Sequence, residues 1–167
     1  MKFAEAIKHK KKGVIRKWEH HFPIYDSYFE DIQSKPLSLL EIGVAWGGSL
    51  FTWQKYFPNA QITGIDNNPD CKKFEEDNIR VFIGSQANVD FLKEVNEQTG
   101  PFDIVIDDGS HMMNHQITSF KTLFPLLKSG GYYVIEDYHT SFVSKYQDGG
   151  EKTLDFLKNL IDRLNFW

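Results

Sequence analysis

The sequence holds a single cysteine, Cys71, which excludes an internal disulfide and a cysteine-rich zinc site. No stretch approaches the ~20 consecutive apolar residues of a membrane span, and the N-terminus lacks the apolar core of a signal peptide. A cytoplasmic protein with no membrane partner is the resulting expectation. Basic residues are not in excess either: 19 Lys and Arg against 23 Asp and Glu leave a net charge of −4. Bulk electrostatics therefore do not demand nucleic acid as a partner. The one dense basic cluster, Lys8-His9-Lys10-Lys11-Lys12, reads as the solvated face of a helix, with a phosphate or membrane contact as the alternative. Internal repeats and low-complexity tracts are absent.

Aromatic side chains are plentiful: 14 Phe, 7 Tyr and 4 Trp among 167 residues can fill one core and leave rings for a pocket wall. The length suits a single domain. Residues 1–36 read as an N-terminal basic helix, ending near Gly13, followed by an aromatic segment from Trp18 to Ile32 that looks irregular around Pro23. From residue 37 to 167 short apolar runs alternate with helical patterns. Strands are predicted at Leu37–Val44, Ala60–Asp66, Ile79–Gly84, Phe102–Asp107 and Tyr132–Glu136. Helices are predicted between them, and an amphipathic helix at Lys152–Asn165 puts Leu154, Leu157, Leu160, Ile161 and Leu164 on one face. This alternation predicts an α/β fold, a doubly wound Rossmann-like and mostly parallel sheet in the order 3-2-1-4-5 with helices on both faces. In such sheets ligands bind beyond the carboxyl ends of the strands, so the strand ends hold the functional information.

The first strand ends in Glu41-Ile-Gly43-Val-Ala-Trp-Gly47-Gly48-Ser49. Glycines there let the backbone approach a ligand, and the next helix offers free N–H groups. A dinucleotide fingerprint would place glycine where Glu41 stands; an acid there with wider glycine spacing suits an S-adenosylmethionine loop. A bare strand-to-helix turn is the plainer alternative. Asp66 ends the second strand, 18 residues after Gly48, where an acid can accept from both ribose hydroxyls. Ser85 and Gln86, after the third strand, could reach an adenine edge or merely cap a helix.

The fourth and fifth strands end in Asp107-Asp108-Gly109-Ser110-His111 and Glu136-Asp137-Tyr138-His139. Neighbouring strands would crowd these carboxylates, and such crowding needs a cation between them. An oxygen-only set favours a hard ion, Mg²⁺ with Mn²⁺ or Ca²⁺ as alternatives. Asp108, Glu136 and Asp137 are the candidate ligands, leaving Asp107 for the amino group of the cofactor. His111 is placed to take a proton from an acceptor hydroxyl. Helix capping and ordinary loop hydrogen bonds are the plainer readings of the acids and of His111. His115 and His139 read as supporting or surface residues.

Three segments together carry a family resemblance: Asp107-Asp-Gly-Ser-His111, Thr118-Ser-Phe-x-x-Leu-Phe-Pro125, and Val134-Ile-Glu-Asp137 with Thr140-Ser141. They resemble the metal-dependent macrolide-sugar O-methyltransferases of the mycinamicin and macrocin type. Lys17-Trp18 and His21-Phe22-Pro-Ile-Tyr25 resemble the aromatic N-terminal segment of related bacterial methyltransferases, and the similarity runs over residues 17–166. The resemblance implies S-adenosylmethionine as donor, Mg²⁺ on Asp108, Glu136 and Asp137, His111 as base, and a sugar hydroxyl on a natural product or glycan as acceptor. It also implies homo-oligomers, an Asp where Ser85 stands, and further strands beyond Trp167 that this sequence lacks. Two other readings stay open: a cofactor-binding module without turnover, and a nicotinamide-dependent oxidoreductase.

Overall fold

The computed structural model describes residues 1–165; Phe166 and Trp167, at the end of the expected domain, lie outside the described residues. Five strands, β1 (Ser38–Ile42), β2 (Gln61–Asp66), β3 (Ile79–Ile83), β4 (Ile104–Asp107) and β5 (Tyr132–Ile135), form one sheet. The order is β3-β2-β1-β4-β5 and every pairing is parallel, as the alternation of apolar runs and helices predicts. Because side chains alternate along a strand, Leu39 and Leu40 enter opposite cores.

The core that contains Leu39 is covered by α1 (Phe3–His9), α2 (Phe22–Phe29) and α3 (Gly48–Tyr56). The opposite core lies under α4 (Val89–Thr99) and α5 (Met113–Leu123), which bury Leu92, Val95 and Leu123 against Leu40 and Val105. The N-terminal 36 residues are thus built into one face of the sheet. Fully buried Phe3 packs its ring 4.7 Å from Trp53 and 4.8 Å from Tyr25, and much of the aromatic surplus is spent in this cluster.

Three sequence expectations need correction. The Trp18–Ile32 stretch is not irregular: it is helical almost throughout, with α2 flanked by tight turns at Glu19–His21 and Glu30–Ile32. Pro23 is compatible because it sits in the first turn, where a missing N–H breaks no helical bond. The first helix ends at His9, short of Gly13, and the chain then runs extended, with Val14 bridging to Gly47. The last helix, α6 (Thr153–Leu164), docks through its first turns, where Thr153 and Phe156 are buried. Thr153 Oγ1 donates to Gln116 Oε1 at 2.8 Å and the Phe156 ring lies 5.6 Å from Phe120. Ile161 and Leu164, on the expected apolar face, lie beyond that contact and are 58% and 75% exposed.

Candidate active site

Register assembles the site. Ile42 pairs with Ile65 on one side and Asp107 on the other, and Asp107 pairs with Ile135. The next residue of each strand, Gly43, Asp66, Asp108 and Glu136, therefore stands on one rim at the carboxyl edge. Two cavities open there. One of about 210 Å³ lies over the ends of β1, β2 and β3 against Asp66, Gly84 and Gln86. The other, of about 240 Å³, lies against Lys17, Trp46, His111 and Asp137. Gly43, Ala45, Asp108 and Gly109 line both, so the two form one groove along the rim.

Gly43 has φ +96°, and a Cβ on it would lie 2.2 Å from the Asp108 carbonyl oxygen, so only glycine fits. Gly47 and Gly48 line neither cavity. Their missing side chains make room for the Phe74 ring and the Val14 backbone. Asp66 does line the first cavity. Its Oδ2 accepts from the Val44 and Ala45 amides at 3.0 and 2.9 Å, which holds the loop after β1 against the end of β2. Gln86 lines the cavity too, but its amide donates to Asp107 and Ser119 and accepts from the Ser110 N–H. Ser85 is absent from the lining, and its Oγ accepts from the Ala87 amide. Asp107, expected to meet the cofactor's amino group, lines neither cavity and is fully buried between Gln86, Ser119 and Tyr133. Burial pushes its carboxyl up to about 6 against the hydrogen bonds that favour the charge.

Glu41 is likewise inside, accepting from Ser49 Oγ at 2.6 Å and from the Trp53 indole at 3.1 Å. The cation that the crowded carboxylates require comes from the chain itself. Lys17 Nζ lies 2.6 Å from Glu136 Oε1, 2.7 Å from Asp108 Oδ2 and 3.3 Å from Glu41 Oε1, with its side chain 1% exposed. Burial disfavours its charge, but the surrounding Glu136, Glu41 and Asp108 outweigh that and hold the ammonium well above its usual range. Glu136 also accepts from the Tyr25 hydroxyl, and His21 Nδ1 stands 3.5 Å from its other oxygen. Although burial opposes it, Lys17 and these donors keep Glu136 ionised well below the ordinary carboxylate range. Asp108, with the Lys17 bond alone, is pushed up by burial and by the Glu136 charge.

The residues whose ligand atoms converge within 4.8 Å are Asp108, His111 and Asp137. This differs from the expected trio of Asp108, Glu136 and Asp137, because Glu136 is turned inward to Lys17 and Tyr25. His111 Nδ1 and Asp137 Oδ1 are buried with no hydrogen-bond partner, which is costly unless something polar or cationic meets them. Among the described residues, the non-glycine positions with φ in the left-handed region are Ala45, His111 and Asp137, and all three line the second cavity. Backbone strain is concentrated on this groove, a pattern typical of functional sites. Desolvation lowers the His111 pKa, opposed by Asp137, which favours the neutral imidazole. Beside Asp137 a third, wider cavity of about 440 Å³ is walled by Trp18, His20, Tyr138 and His139.

The fold finds its counterpart in known proteins. The profile of the family described as "Methyltransferase domain" matches residues 40–138, more than half of the chain. The chain belongs to this family. Among curated relatives of this methyltransferase domain, the tetracenomycin-C rhamnosyl 3'-O-methyltransferase of Streptomyces olivaceus is 40% identical over 162 residues, covering 89% of the chain and 41% of that protein. The mycinamicin VI 2''-O-methyltransferase of Micromonospora griseorubida is 41% identical, covering 85% of the chain and 39% of that protein. The domain thus spans about two fifths of the length of these relatives. The MycE methyltransferase of mycinamycin biosynthesis, solved with Mg, SAH and mycinamycin VI, superposes with a TM-score of 0.82. It is 39% identical, over 89% of this chain and 44% of that one. The structural likeness supports the Rossmann-like fold and the expected strand order.

Sequence reasoning did not assign roles to Lys17, His21 and Tyr25. The signal was present as a deficit: four acids on neighbouring strand ends need a buried cation, and the segment Lys17–Tyr25 holds a lysine beside aromatic rings.

Proposed function

We propose that this chain is the catalytic domain of an S-adenosylmethionine-dependent O-methyltransferase that works with Mg²⁺ on a sugar hydroxyl of a glycosylated natural product or glycan. The observation that carries the reading is the continuous groove from Asp66 to Asp137, with Asp108, His111 and Asp137 converging where the backbone is strained. The sugar O-methyltransferase names of the relatives and the Mg and SAH in the MycE structure support the donor, the ion and the acceptor class. The −4 charge favours a small glycoside over nucleic acid.

On this reading Asp66 accepts from the ribose hydroxyls of the donor and Gly43 lets it lie close to β1. The unpartnered atoms of His111 and Asp137 fit a cation, with Asp108 and Asp137 as the oxygen ligands. The donor supplies an electrophilic methyl carbon, and the ion polarises the acceptor hydroxyl. As the new O–C bond forms and the C–S bond breaks, a ring nitrogen of neutral His111 takes the hydroxyl proton. Trp18 and Tyr138 wall the wider cavity beside Asp137, where the acceptor has room. The convergence of His111 with the two aspartates also permits it to serve as a third ligand.

Calorimetric titration with S-adenosylmethionine, S-adenosylhomocysteine and NAD, with and without Mg²⁺, tests the proposal. Binding of both sulfur ligands but not NAD is expected; preference for NAD, or no binding of either sulfur ligand, refutes it. His111→Ala separates the two roles. A base variant loses turnover and keeps Mg²⁺ affinity, whereas a ligand variant loses both.

A further inference from the structure

Residues 13–16 are pressed against the loop that follows β1. Val14 bridges to Gly47, and the fit requires bare backbone on both sides. A Cβ on Gly48 would lie 2.4 Å from the Val14 carbonyl oxygen, and one on Gly13 would lie 2.8 Å from the Trp46 carbonyl oxygen. This close approach brings Arg16 over Trp46, with the guanidinium carbon 4.3 Å from the ring centroid. Both residues line the cavity that also holds His111. A guanidinium stacked on an indole is held in place without a carboxylate. Of the two basic residues in that lining, Lys17 has a buried side chain, whereas Arg16 is exposed. Lys11 and Lys12, just upstream, pair with Glu76; Arg16 makes no ion pair among the described residues.

The two cavities of the groove meet at Gly43, Ala45, Asp108 and Gly109; Asp66 lines the first alone and Arg16 the second alone. In S-adenosylmethionine the sulfur separates the ribose from the amino-acid chain. A donor whose ribose hydroxyls reach Asp66 therefore runs past the shared residues and lays its amino-acid end in the cavity walled by Arg16. That end carries a carboxylate. We propose that Arg16, fixed on Trp46, receives this carboxylate and makes the site select donors that carry it. The inference rests on the S-adenosylmethionine reading above and needs no metal ion. Arginine meets a carboxylate with two parallel, charge-assisted hydrogen bonds, which give direction as well as strength. A lysine in its place would keep the charge and lose the fork. Arg16 touches the amino-acid end and not the methyl carbon, so it sets donor affinity and specificity.

The test is calorimetric titration with S-adenosylhomocysteine and with S-adenosyl-3-thiopropylamine, the same molecule without its carboxyl group. Arg16→Gln is expected to weaken S-adenosylhomocysteine binding by about tenfold or more and to weaken the amine analogue by no more than about threefold. Arg16→Lys is expected to fall between the original chain and Arg16→Gln for S-adenosylhomocysteine, again with little loss for the analogue. Should the glutamine variant misfold by circular dichroism, the lysine variant carries the same comparison. A folded variant that keeps the original affinity for S-adenosylhomocysteine overturns this inference alone. So does one that loses affinity for both ligands equally, since Arg16 would then act only by shaping the loop around Trp46. If the original chain binds neither sulfur ligand, the donor reading falls with it.

Discussion

Gly43→Ala puts the rim geometry under direct test. The residue sits at φ +96°, where an L side chain costs about 1–2 kcal/mol. Its new Cβ would lie 2.2 Å from the Asp108 carbonyl oxygen and 2.8 Å from the carbonyl carbon. Both are backbone atoms, so no side-chain rotation relieves the contact, and the ends of β1 and β4 must separate. Overpacking of this kind typically costs about 1–3 kcal/mol. The combined loss of about 2–5 kcal/mol corresponds to a fall in Tm of roughly 5–15 °C for a domain of this size. The displaced Asp108 also borders both cavities and carries the Lys17 bond, so ligand binding should suffer along with stability. Differential scanning calorimetry reads the first effect and titration with S-adenosylhomocysteine the second. An alanine variant that melts within 1–2 °C of the original, roughly the shift of a ~0.5 kcal/mol change, would show that β1 and β4 do not meet as described.

Three further outcomes follow from the packing and charge. Phe3→Ala should destabilise the domain by about 3–5 kcal/mol, because its ring is fully buried against Tyr25 and Trp53; an unchanged urea midpoint would mean that α1 is not part of the core. Asp66→Ala removes the acceptor of the Val44 and Ala45 amides, and should weaken S-adenosylhomocysteine binding by about tenfold or more while lowering stability by about 1–3 kcal/mol. Wild-type affinity in that titration would exclude Asp66 from the donor site. Burial pushes the Cys71 thiol up to about 11, so the reactive thiolate is scarcer at pH 8, by about a hundredfold, than for an unperturbed thiol near 9.0. Its alkylation by iodoacetamide, followed by mass spectrometry, should be slow at pH 8 and rise about tenfold per pH unit toward 11; the rate of a free thiol at pH 8 would contradict the burial.

The sheet was legible because each of its signals is local. Apolar runs such as Ile104–Ile106, ended by Asp107-Asp108-Gly109, specify a buried strand and its carboxyl end without reference to distant residues. The same logic placed Asp66, Asp108 and Asp137 at or just beyond the carboxyl ends of strands, where the structure has them. Orientation was another matter. Asp107 and Asp108 are consecutive and so project to opposite sides of the sheet edge, one inward to Ser119 and Gln86, the other to the groove. Glu136 and Asp137 divide similarly, and the left-handed backbone at Asp137, invisible to periodicity, completes the turn toward His111. The glycines have a similar limit: a sequence shows that a backbone is bare without showing which neighbouring segment approaches it, and at Gly48 that neighbour is Val14.

Lys17 lay furthest from sequence reasoning, since it reaches Asp108 across 91 residues and Glu136 across 119. The charge balance nonetheless explains why such a residue belongs there. A carboxylate rim neutralised only by a bound ion would leave Glu41 and Glu136 buried and unpaired whenever the ion dissociated, at several kcal/mol for each uncompensated charge. A rim fully matched by fixed cations would have no attraction left for an ion. The lysine sits on the inner carboxylates: Glu41 and Glu136 are paired within the chain, while Asp137 Oδ1 and His111 Nδ1 are buried without a hydrogen-bond partner. The N-terminal segment that covers one face of the sheet therefore also supplies the cation that compensates the buried acids of the rim.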